Sequence, residues 1–253
     1  MTRNRVWTDE EVAYLVDNYE YNSINSIALH LNRGYGSVAY KANTLSLKRR
    51  YIYSCNLPFF DTWTEKLAYV CGIVLSDGHV DCNRHRVIIK MCDKDVINKI
   101  KEVSECTGNI CIHHSVNKDS YSIEFGMKVW LFFRNILEFD NHKSYTAAYP
   151  KNIPNVYNNS FIRGIFDGDG WLYLKKSTGC PTVGIAGTLK VVSAIKNICG
   201  IQGSIYAKEN IFILIYNGNF AINFLNYIYD NASIYMDRKY DKYLNVLELK
   251  NRR

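Results

Sequence analysis

Two segments of the sequence end in an Asp-Gly pair within a shared pattern of apolar and small residues. The segments are 67-LAYVCGIVLSDGHV-80 and 160-SFIRGIFDGDGWLY-173. Asp77 aligns with Asp169, and Gly72 aligns with Gly164, at one common offset of 92 residues. Because the same acidic residue recurs in the same context, we expect one structural unit to occur twice, with Asp77 and Asp169 as equivalent carboxylates.

The position of the two aspartates indicates their chemistry. Each is expected at the C-terminal end of an apolar helix, where the helix dipole disfavours negative charge, and pairing of the helices would add repulsion between like charges. Hard divalent cations such as Mg²⁺ would relieve both penalties, because they bind carboxylate, carbonyl and phosphate oxygens together. The pattern predicts metal-dependent phosphodiester hydrolysis. The alternative is that each aspartate only fixes the glycine turn that follows it.

Small residues recur four positions apart in both segments, as Gly72 with Ser76 and as Gly164 with Gly168. Residues at this spacing lie on one face of a helix, and small ones allow two helix backbones to approach closely. We therefore expect the two helices to pack through Gly72 and Gly164 about a pseudo-two-fold axis.

The surrounding periodicities give the same order of elements in both copies: helix, two strands, helix, two strands, helix. We expect the first copy to have strands near 79–92 and 109–126, with helices at 94–105 and 127–138. The second copy has strands near 171–187 and 203–217, with helices at 189–199 and 219–229. This order predicts an α+β fold with a four-stranded sheet in each copy and helices on one sheet face.

The other face of each sheet is predicted to be open. Strand alternation points Val87, Ile89, Leu172 and Leu174 towards the core and their neighbours outward. A face with basic and aromatic side chains suits a DNA groove, although an ordinary solvated face would give the same pattern. The predicted DNA-binding side chains on and beside the strands are Arg84, Arg86, Lys90, Trp171, Tyr173 and Lys175.

The N-terminal segment predicts a small helical module. In 7-WTDEE-11, Thr8 and Glu11 form the capping-box pattern, and apolar residues then recur at helical spacing in three short helices with a tight turn before the third. This arrangement is typical of a helix-turn-helix unit, whose third helix enters the major groove while basic residues hold phosphates. The alternative is a helical cap with a solvated charged face. The residues expected to contact DNA are Tyr40, Lys41, Asn43, Lys48, Arg49 and Arg50.

Length and composition agree with a DNA-binding protein of several parts. The 253 residues have a net charge of +7 and interleaved tyrosines, which suits a polyanionic partner. We expect a module at 1–50, a linker at 51–62, and two related halves at 63–157 and 158–253. Neither a membrane-spanning stretch nor the apolar region of a signal peptide is found, so we expect a cytoplasmic protein. The eight cysteines contain no C-x-x-C pair, which argues against a zinc or disulfide framework.

The segments 70-VCGIVLSDG-78 and 162-IRGIFDGDG-170 resemble the two signature helices of a monomeric LAGLIDADG homing endonuclease. The N-terminal module, through 7-WTDEE-11 and 37-SVAYKANTLSLKRR-50, resembles a Myb/SANT-like helix-turn-helix. The resemblance implies two pseudo-symmetric αββαββα halves that form a saddle along the major groove, preceded by a three-helix domain. It also implies a monomer encoded in an intron or mobile element that cuts double-stranded DNA at a long asymmetric site. The cut would use Mg²⁺, with Mn²⁺ as a substitute, and leave short 3′ overhangs.

Carried over by position, the resemblance makes Asp77 and Asp169 the catalytic metal ligands, helped by the backbone carbonyls of Ser76 and Gly168. It implies a catalytic lysine late in each half, for which 141-NHKSY-145 and 237-DRKYDKY-243 provide Lys143 and Lys239. One position departs from the pattern. The first aspartate of the motif is present as Asp167 in the second copy, whereas the first copy has Leu75 there. Two alternatives remain on this fold: a catalytically silent DNA-binding regulator and an RNA maturase. The retained Asp77 and Asp169 favour the enzyme.

Overall fold

A computed structural model of the chain describes residues 5–19, 22, 24–47, 55–138, 146–175 and 178–251. The chain divides into two compact units, Met1–Tyr53 and Ser54–Arg253. Both contain their own buried apolar cluster.

The first unit contains three helices, α1 (Asp9–Tyr19), α2 (Ile24–His30) and α3 (Tyr35–Thr44). The predicted capping box is present at the start of α1. The Glu11 amide donates to the Thr8 hydroxyl oxygen at 3.3 Å, and the Thr8 amide donates to the Glu11 carboxylate at 3.1 Å. Leu15, Ile27 and Val38, one from each helix, are fully buried in the same apolar cluster. The three amphipathic helices therefore share one small core.

The second unit begins with the short helix α4 (Pro58–Asp61) and continues as the first half. Its elements are α5 (Glu65–Asp77), β1 (Gly78–Asp81), β2 (Arg86–Met91), α6 (Lys94–Val103), β3 (Cys111–His113), β4 (Ser120–Phe125) and α7 (Met127–Leu137). The strands form one antiparallel sheet in the order β1-β2-β4-β3.

The second half, which follows the 3₁₀ turn Asn155–Tyr157, repeats this order. Its elements are α8 (Asn158–Asp169), β5 (Gly170–Leu174), β6 (Pro181–Gly187), α9 (Leu189–Cys199), β7 (Ser204–Lys208), β8 (Ile211–Asn217), α10 (Asn219–Tyr229) and α11 (Asp237–Asn251). The sheet order is β5-β6-β8-β7, the same as in the first half. The predicted α+β fold with two αββαββα halves is confirmed, while the terminal helix α11 is an addition that the sequence patterns did not predict.

The segment expected to be a linker is shorter than the sequence suggested. Within 55–62, Phe60 is only 4% exposed and its ring packs edge-on against Phe125 and Phe133. The Asn56 amide donates a 2.8 Å hydrogen bond to the Ser104 carbonyl oxygen. These contacts place residues 55–62 in the second unit, because their aromatic side chains cover the end of the first half's core.

Helices α5 and α8 pack side by side at the centre of the second unit, and most residues of both are buried. The buried Arg163 holds one end of this pair: its guanidinium donates to Glu65 at 2.5 Å and to the Ile228 carbonyl oxygen at 2.6 Å. All eight cysteines are free thiols. Among the described helices, none is long and apolar enough to span a bilayer.

Candidate active site at the paired helix ends

The backbones of α5 and α8 touch at Gly72 and Gly164. A Cβ atom on Gly72 would lie 2.9 Å from the Gly164 Cα and overlap the Phe161 carbonyl oxygen. A Cβ atom on Gly164 would lie 2.9 Å from the Gly72 Cα and overlap the Tyr69 carbonyl oxygen. Each glycine therefore meets its own counterpart, as a pseudo-two-fold axis between the two helices requires. No side chain larger than hydrogen fits at either position without moving a helix backbone.

Asp77 is the last residue of α5, and Asp169 is the last residue of α8. The two ends are in contact. A Cβ atom on Gly168 would lie 2.6 Å from an Asp77 carboxylate oxygen and would overlap the Ser76 hydroxyl oxygen. The Asp77 carboxylate therefore lies against the residue that precedes Asp169. The close helix contact at the glycines brings the two acidic positions together, one turn further along each helix.

Asp167, the first aspartate of the second motif, is fully buried and accepts three hydrogen bonds. The donors are the hydroxyl of Tyr69 at 2.8 Å, the hydroxyl of Tyr229 at 2.5 Å and the amide of Met236 at 2.7 Å. Burial raises the pKa of Asp167, and these hydrogen bonds oppose the rise. Since Tyr69 belongs to α5, the carboxylate joins the two halves. The equivalent position in the first half, Leu75, is buried and apolar.

Lys239 caps the end of α8. Its ammonium group donates to the carbonyl oxygens of Phe166 at 2.5 Å, Asp167 at 2.8 Å and Gly170 at 2.5 Å, and the side chain is almost completely buried. Burial lowers the pKa of Lys239 to about 8, although the charges of Asp167 and Asp77 oppose the shift. An ammonium group has three protons, so all three are used by the helix end. These contacts fix the position of the helix end that presents Asp169. The other lysine expected from the sequence, Lys143, lies outside the described residues.

Each aspartate lines a cavity of its own. The cavity at Asp77 has a volume of about 490 Å³ and is lined by polar and charged side chains, among them Lys90, Asp93, Lys118 and Arg238. The cavity at Asp169 has a volume of about 250 Å³, and its lining is mainly apolar: Leu75, Ala147, Ile165, Ala186, Gly187, Val191 and Ile211, with Ser76 and Thr188. The C-terminal ends of α5 and α8 thus have different surroundings.

The donor atoms at the helix ends suit a hard cation better than zinc. Within the part of the chain that the structure describes, no cluster of three or more His, Cys, Asp or Glu side chains could hold a metal ion. Mg²⁺ does not need such a cluster, because it binds proteins through one or two carboxylates and completes its shell with water and phosphate oxygens. Asp77 and Asp169, with the backbone carbonyls of Ser76 and Gly168, fit that pattern.

The side chains predicted to contact DNA from the sheets are mostly exposed. Trp171 and Tyr173 alternate with the buried Leu172, and the Trp171 ring covers Gly184 on the paired strand, where a Cβ atom would collide with the indole. Arg84, Lys90 and Lys175 are also exposed. Arg86 differs: it donates to Asp81 at 3.2 Å and to Glu124 at 2.9 Å. Its charge is therefore balanced within the sheet, and it does not offer a free cation to a phosphate as the sequence pattern suggested.

In the first unit, the third helix presents two of the predicted side chains to solvent. Tyr40 is 76% exposed and Asn43 is also exposed. Lys41 is half-buried, with its ammonium group 5.9 Å from the centre of the Trp7 ring. Lys48, Arg49 and Arg50 lie outside the described residues.

Several residues at the site were not identified from the sequence. Tyr69 and Tyr229 occupy ordinary apolar positions of helices, and Lys118 lies in 117-NKD-119, a sequence typical of a turn. Arg238 precedes Lys239 directly in the sequence, with no pattern of its own. No local pattern marks these side chains, because their partners are distant in sequence: Tyr69 and Asp167 are separated by 98 positions.

No family model matches the chain. An uncharacterized protein of Methanocaldococcus jannaschii is 27% identical over 165 residues, which cover 58% of this chain and 59% of that protein. The chain thus spans less than two thirds of the length of this relative.

Two solved structures are similar at low sequence identity. Full-length DUF199/WhiA from Thermatoga maritima is 11% identical with a TM-score of 0.48, over 76% of this chain and 64% of that one. The I-LtrWI LAGLIDADG homing endonuclease, solved bound to its target DNA, is 12% identical with a TM-score of 0.50, over 78% of this chain and 92% of that one. Together with the two four-stranded antiparallel sheets and the paired helices, the second likeness shows that this chain has the two-half α+β fold of the LAGLIDADG homing endonucleases.

Proposed function

We propose that the chain is a site-specific endonuclease that hydrolyses both strands of DNA with Asp77 and Asp169. The observation that supports this most strongly is the position of two equivalent aspartates at the C-terminal ends of touching helices, with the Asp77 carboxylate against Gly168, the residue before Asp169. Helix dipoles and mutual repulsion both disfavour this arrangement, and two carboxylates would also repel a DNA backbone. The arrangement is useful only where a cation lies between the carboxylates and a phosphate.

The carboxylates of Asp77 and Asp169 and the backbone carbonyls of Ser76 and Gly168 would hold Mg²⁺, for which Mn²⁺ can substitute. When bound, such an ion lowers the pKa of a water molecule and neutralises charge on the leaving oxygen. Lys239 fixes the end of α8 through three carbonyl oxygens, so that Asp169 keeps its position when DNA binds.

The open sheet faces supply the DNA contacts in this proposal. Exposed Trp171 and Tyr173 of the second sheet and Lys90 of the first would contact the duplex, while Tyr40 and Asn43 of the first unit would extend the contacts. Because the two halves present different side chains, the preferred site is long and asymmetric. Both halves belong to one chain, so a monomer suffices to make a double-strand break with short 3′ overhangs.

The test is cleavage of DNA that contains the uninterrupted form of the locus in which the gene lies. With Mg²⁺ or Mn²⁺ we expect a double-strand break, and with EDTA none. Asp77→Asn and Asp169→Asn should each reduce the cleavage rate by roughly 100-fold or more, while the Kd for the same DNA measured in Ca²⁺ stays within about threefold of the wild type.

The second candidate is a DNA-binding regulator that does not cut. The observation in its favour is the lining of the Asp169 cavity, in which Asp169 is the only charged side chain among the described residues. Tight binding of the same DNA without cleavage in Mg²⁺ and in Mn²⁺ would contradict the endonuclease and favour the regulator.

A further inference from the structure

The cavities at Asp77 and Asp169 occupy the same place in the two halves, and strand register shows which residues correspond. In the first sheet Gly78 pairs with Ile89, and in the second Gly170 pairs with Ile185. Since Gly78 and Gly170 each follow the motif aspartate, Ile89 and Ile185 are equivalent. The next residue of each strand is Lys90 in β2 and Ala186 in β6. A lysine of the first cavity is thus replaced by alanine in the second.

The neighbouring strands extend this correspondence. Ile89 pairs with Ile123, and Ile185 pairs with Leu214, so that β4 and β8 are aligned as well. Ser120, which begins β4, is therefore equivalent to Ile211, which begins β8. Two positions earlier, in the turns before these strands, Lys118 corresponds to Glu209. The remaining equivalent pairs of the two linings are Asp167 with Leu75, Gly168 with Ser76, Met91 with Gly187, and Cys92 with Thr188.

The charges of the Asp77 cavity do not all cancel one another. Arg238 donates to both carboxylate oxygens of Asp93, at 2.6 and 3.0 Å, and Asp167 is occupied by its three buried donors. Lys90 and Lys118 are left facing the same cavity as Asp77. Both lysines are exposed, and neither has a hydrogen bond or ion pair within the described residues.

From this difference we propose that the two strand cuts are unequal: the strand that lies in the Asp77 cavity is cut first and faster, with Lys90 and Lys118 on its scissile phosphate. This inference rests on the proposed endonuclease function. In either strand the water oxygen bonds to phosphorus, the bond from phosphorus to the leaving deoxyribose oxygen breaks, and that oxygen takes up a proton. Lysine ammonium groups beside the phosphate stabilise the negative charge that grows on its oxygens and on the leaving oxygen.

The second cavity offers neither group at the equivalent positions. Ala186 supplies no charge, Ile211 supplies no polar group where the first cavity has Ser120, and Glu209 has the opposite sign to Lys118. We therefore expect a nicked duplex to accumulate before the double-strand break, always with the same strand broken.

The test uses the full chain in excess over a target duplex whose two strands have different 5′ labels, with Mg²⁺, in a single turnover. Wild type should cut one strand roughly 10-fold faster than the other or more. Lys90→Met and Lys118→Met should each slow that strand by roughly 10- to 100-fold and leave the slower strand within about twofold. Ala186→Lys should speed the slower strand. Lys66→Met, at the opposite end of α5, makes the same change of charge and should alter neither rate.

Equal rates for the two strands of the wild-type reaction would overturn the inference and leave the endonuclease proposal intact. So would a Lys90→Met variant that slows both strands alike, because a lysine that only strengthens DNA binding would have that effect. A wild-type protein that cuts neither strand would overturn the proposed function, and the inference with it.

Discussion

The hydroxyl of Tyr69, in the first half, donates a 2.8 Å hydrogen bond to the carboxylate of Asp167, in the second. Both side chains are completely buried, and Asp167 accepts two further hydrogen bonds. Replacing Asp167 with leucine, the residue at the equivalent position 75, would leave three donors without an acceptor. We expect Asp167→Leu to lower the free energy of unfolding by about 3 to 5 kcal/mol, measured by urea denaturation.

Two milder variants separate the hydrogen bonds from the change in shape. Asp167→Asn keeps an acceptor and should lose about 1 kcal/mol, as should Tyr69→Phe. A double-mutant cycle between them should give a coupling free energy of at least 0.5 kcal/mol, the lower end for residues in contact. A coupling of zero, or an Asp167→Leu variant as stable as wild type, would show that this contact does not hold the halves together.

The repeat, the element order and the helix pairing could be predicted because they depend on local periodicity and on residue size. Apolar residues at helical and strand spacing locate elements, and small residues four apart indicate a close helix face. The polar network at the site could not be predicted in this way. In the sequence, Asp167 and Lys239 look the same as the exposed aspartates and lysines elsewhere in the chain. Only the tertiary structure buries them.

Arg86 shows what could not be predicted from the sequence on the sheet surface. Alternation placed it off the core face of β2, which is where it lies. Its ion pairs with Asp81 and Glu124 depend on which residues of β1 and β4 lie beside it, and strand register is set by the whole sheet. Side-chain direction was thus available from the sequence, whereas the partner was not.

The close contact of α5 and α8 predicts a large effect of a single methyl group. Gly72→Ala places a Cβ atom 2.9 Å from the Gly164 Cα, and the obstacle is backbone on both sides. Neither helix can yield without moving its aspartate, so we expect a loss of about 1 to 3 kcal/mol in unfolding free energy and a lower cleavage rate. Urea denaturation and single-turnover cleavage measure the two effects.

Gly126→Ala is the matched control within the same unit. Gly126 precedes α7, its φ is negative, and nothing lies within 4 Å of the position of a Cβ atom. The variant should lose less than about 1 kcal/mol and keep the wild-type cleavage rate. If Gly72→Ala were no more harmful than Gly126→Ala, the backbones of α5 and α8 would not be in contact at Gly72 and Gly164.

Because Lys239 caps the end of α8, we expect it to affect the reaction through the position of Asp169. Lys239→Met leaves the carbonyl oxygens of Phe166, Asp167 and Gly170 without their donor. We expect the single-turnover cleavage rate to fall by about tenfold or more at saturating protein, since small displacements of reacting groups are costly. The Kd for DNA should change by less than about threefold, because the buried ammonium group does not face solvent.

A matched control separates the cap from a general effect of positive charge on α11. Lys242→Met, on the exposed side of α11, removes a charge three residues away and should leave the rate unchanged. Should Lys239→Met weaken DNA binding and leave the rate at saturation as in wild type, the residue would be acting on DNA affinity and not on the helix end.

In the first unit, Glu11 predicts how stability depends on pH. Its carboxylate accepts hydrogen bonds from Arg33 at 2.7 and 3.2 Å and from the Thr8 amide at 3.1 Å. The hydrogen bonds from Arg33 are the main cause, with that from Thr8 second, of a pKa lowered to about 2. The pKa of glutamate in an unfolded chain is about 4.3. Because the folded value is the lower one, this stabilisation is present above about pH 4.3 and is lost as the pH falls towards 2.

The difference in unfolding free energy between wild type and Glu11→Gln isolates the contribution of Glu11 from those of all other carboxylates. The variant should be less stable than wild type at pH 7, and the difference should shrink towards pH 2, because the wild-type side chain becomes protonated over this range. Trp7 can report on this unit, because it belongs to it and its ring lies 4.2 Å from the Arg33 guanidinium. The indole NMR signal of Trp7 would be followed during thermal unfolding. Asp9→Asn, at an exposed carboxylate in the first turn of the same helix, removes the same charge and serves as the control. A difference between wild type and Glu11→Gln that stays constant from pH 7 to pH 2 would mean that the carboxylate is not held by Arg33 in solution.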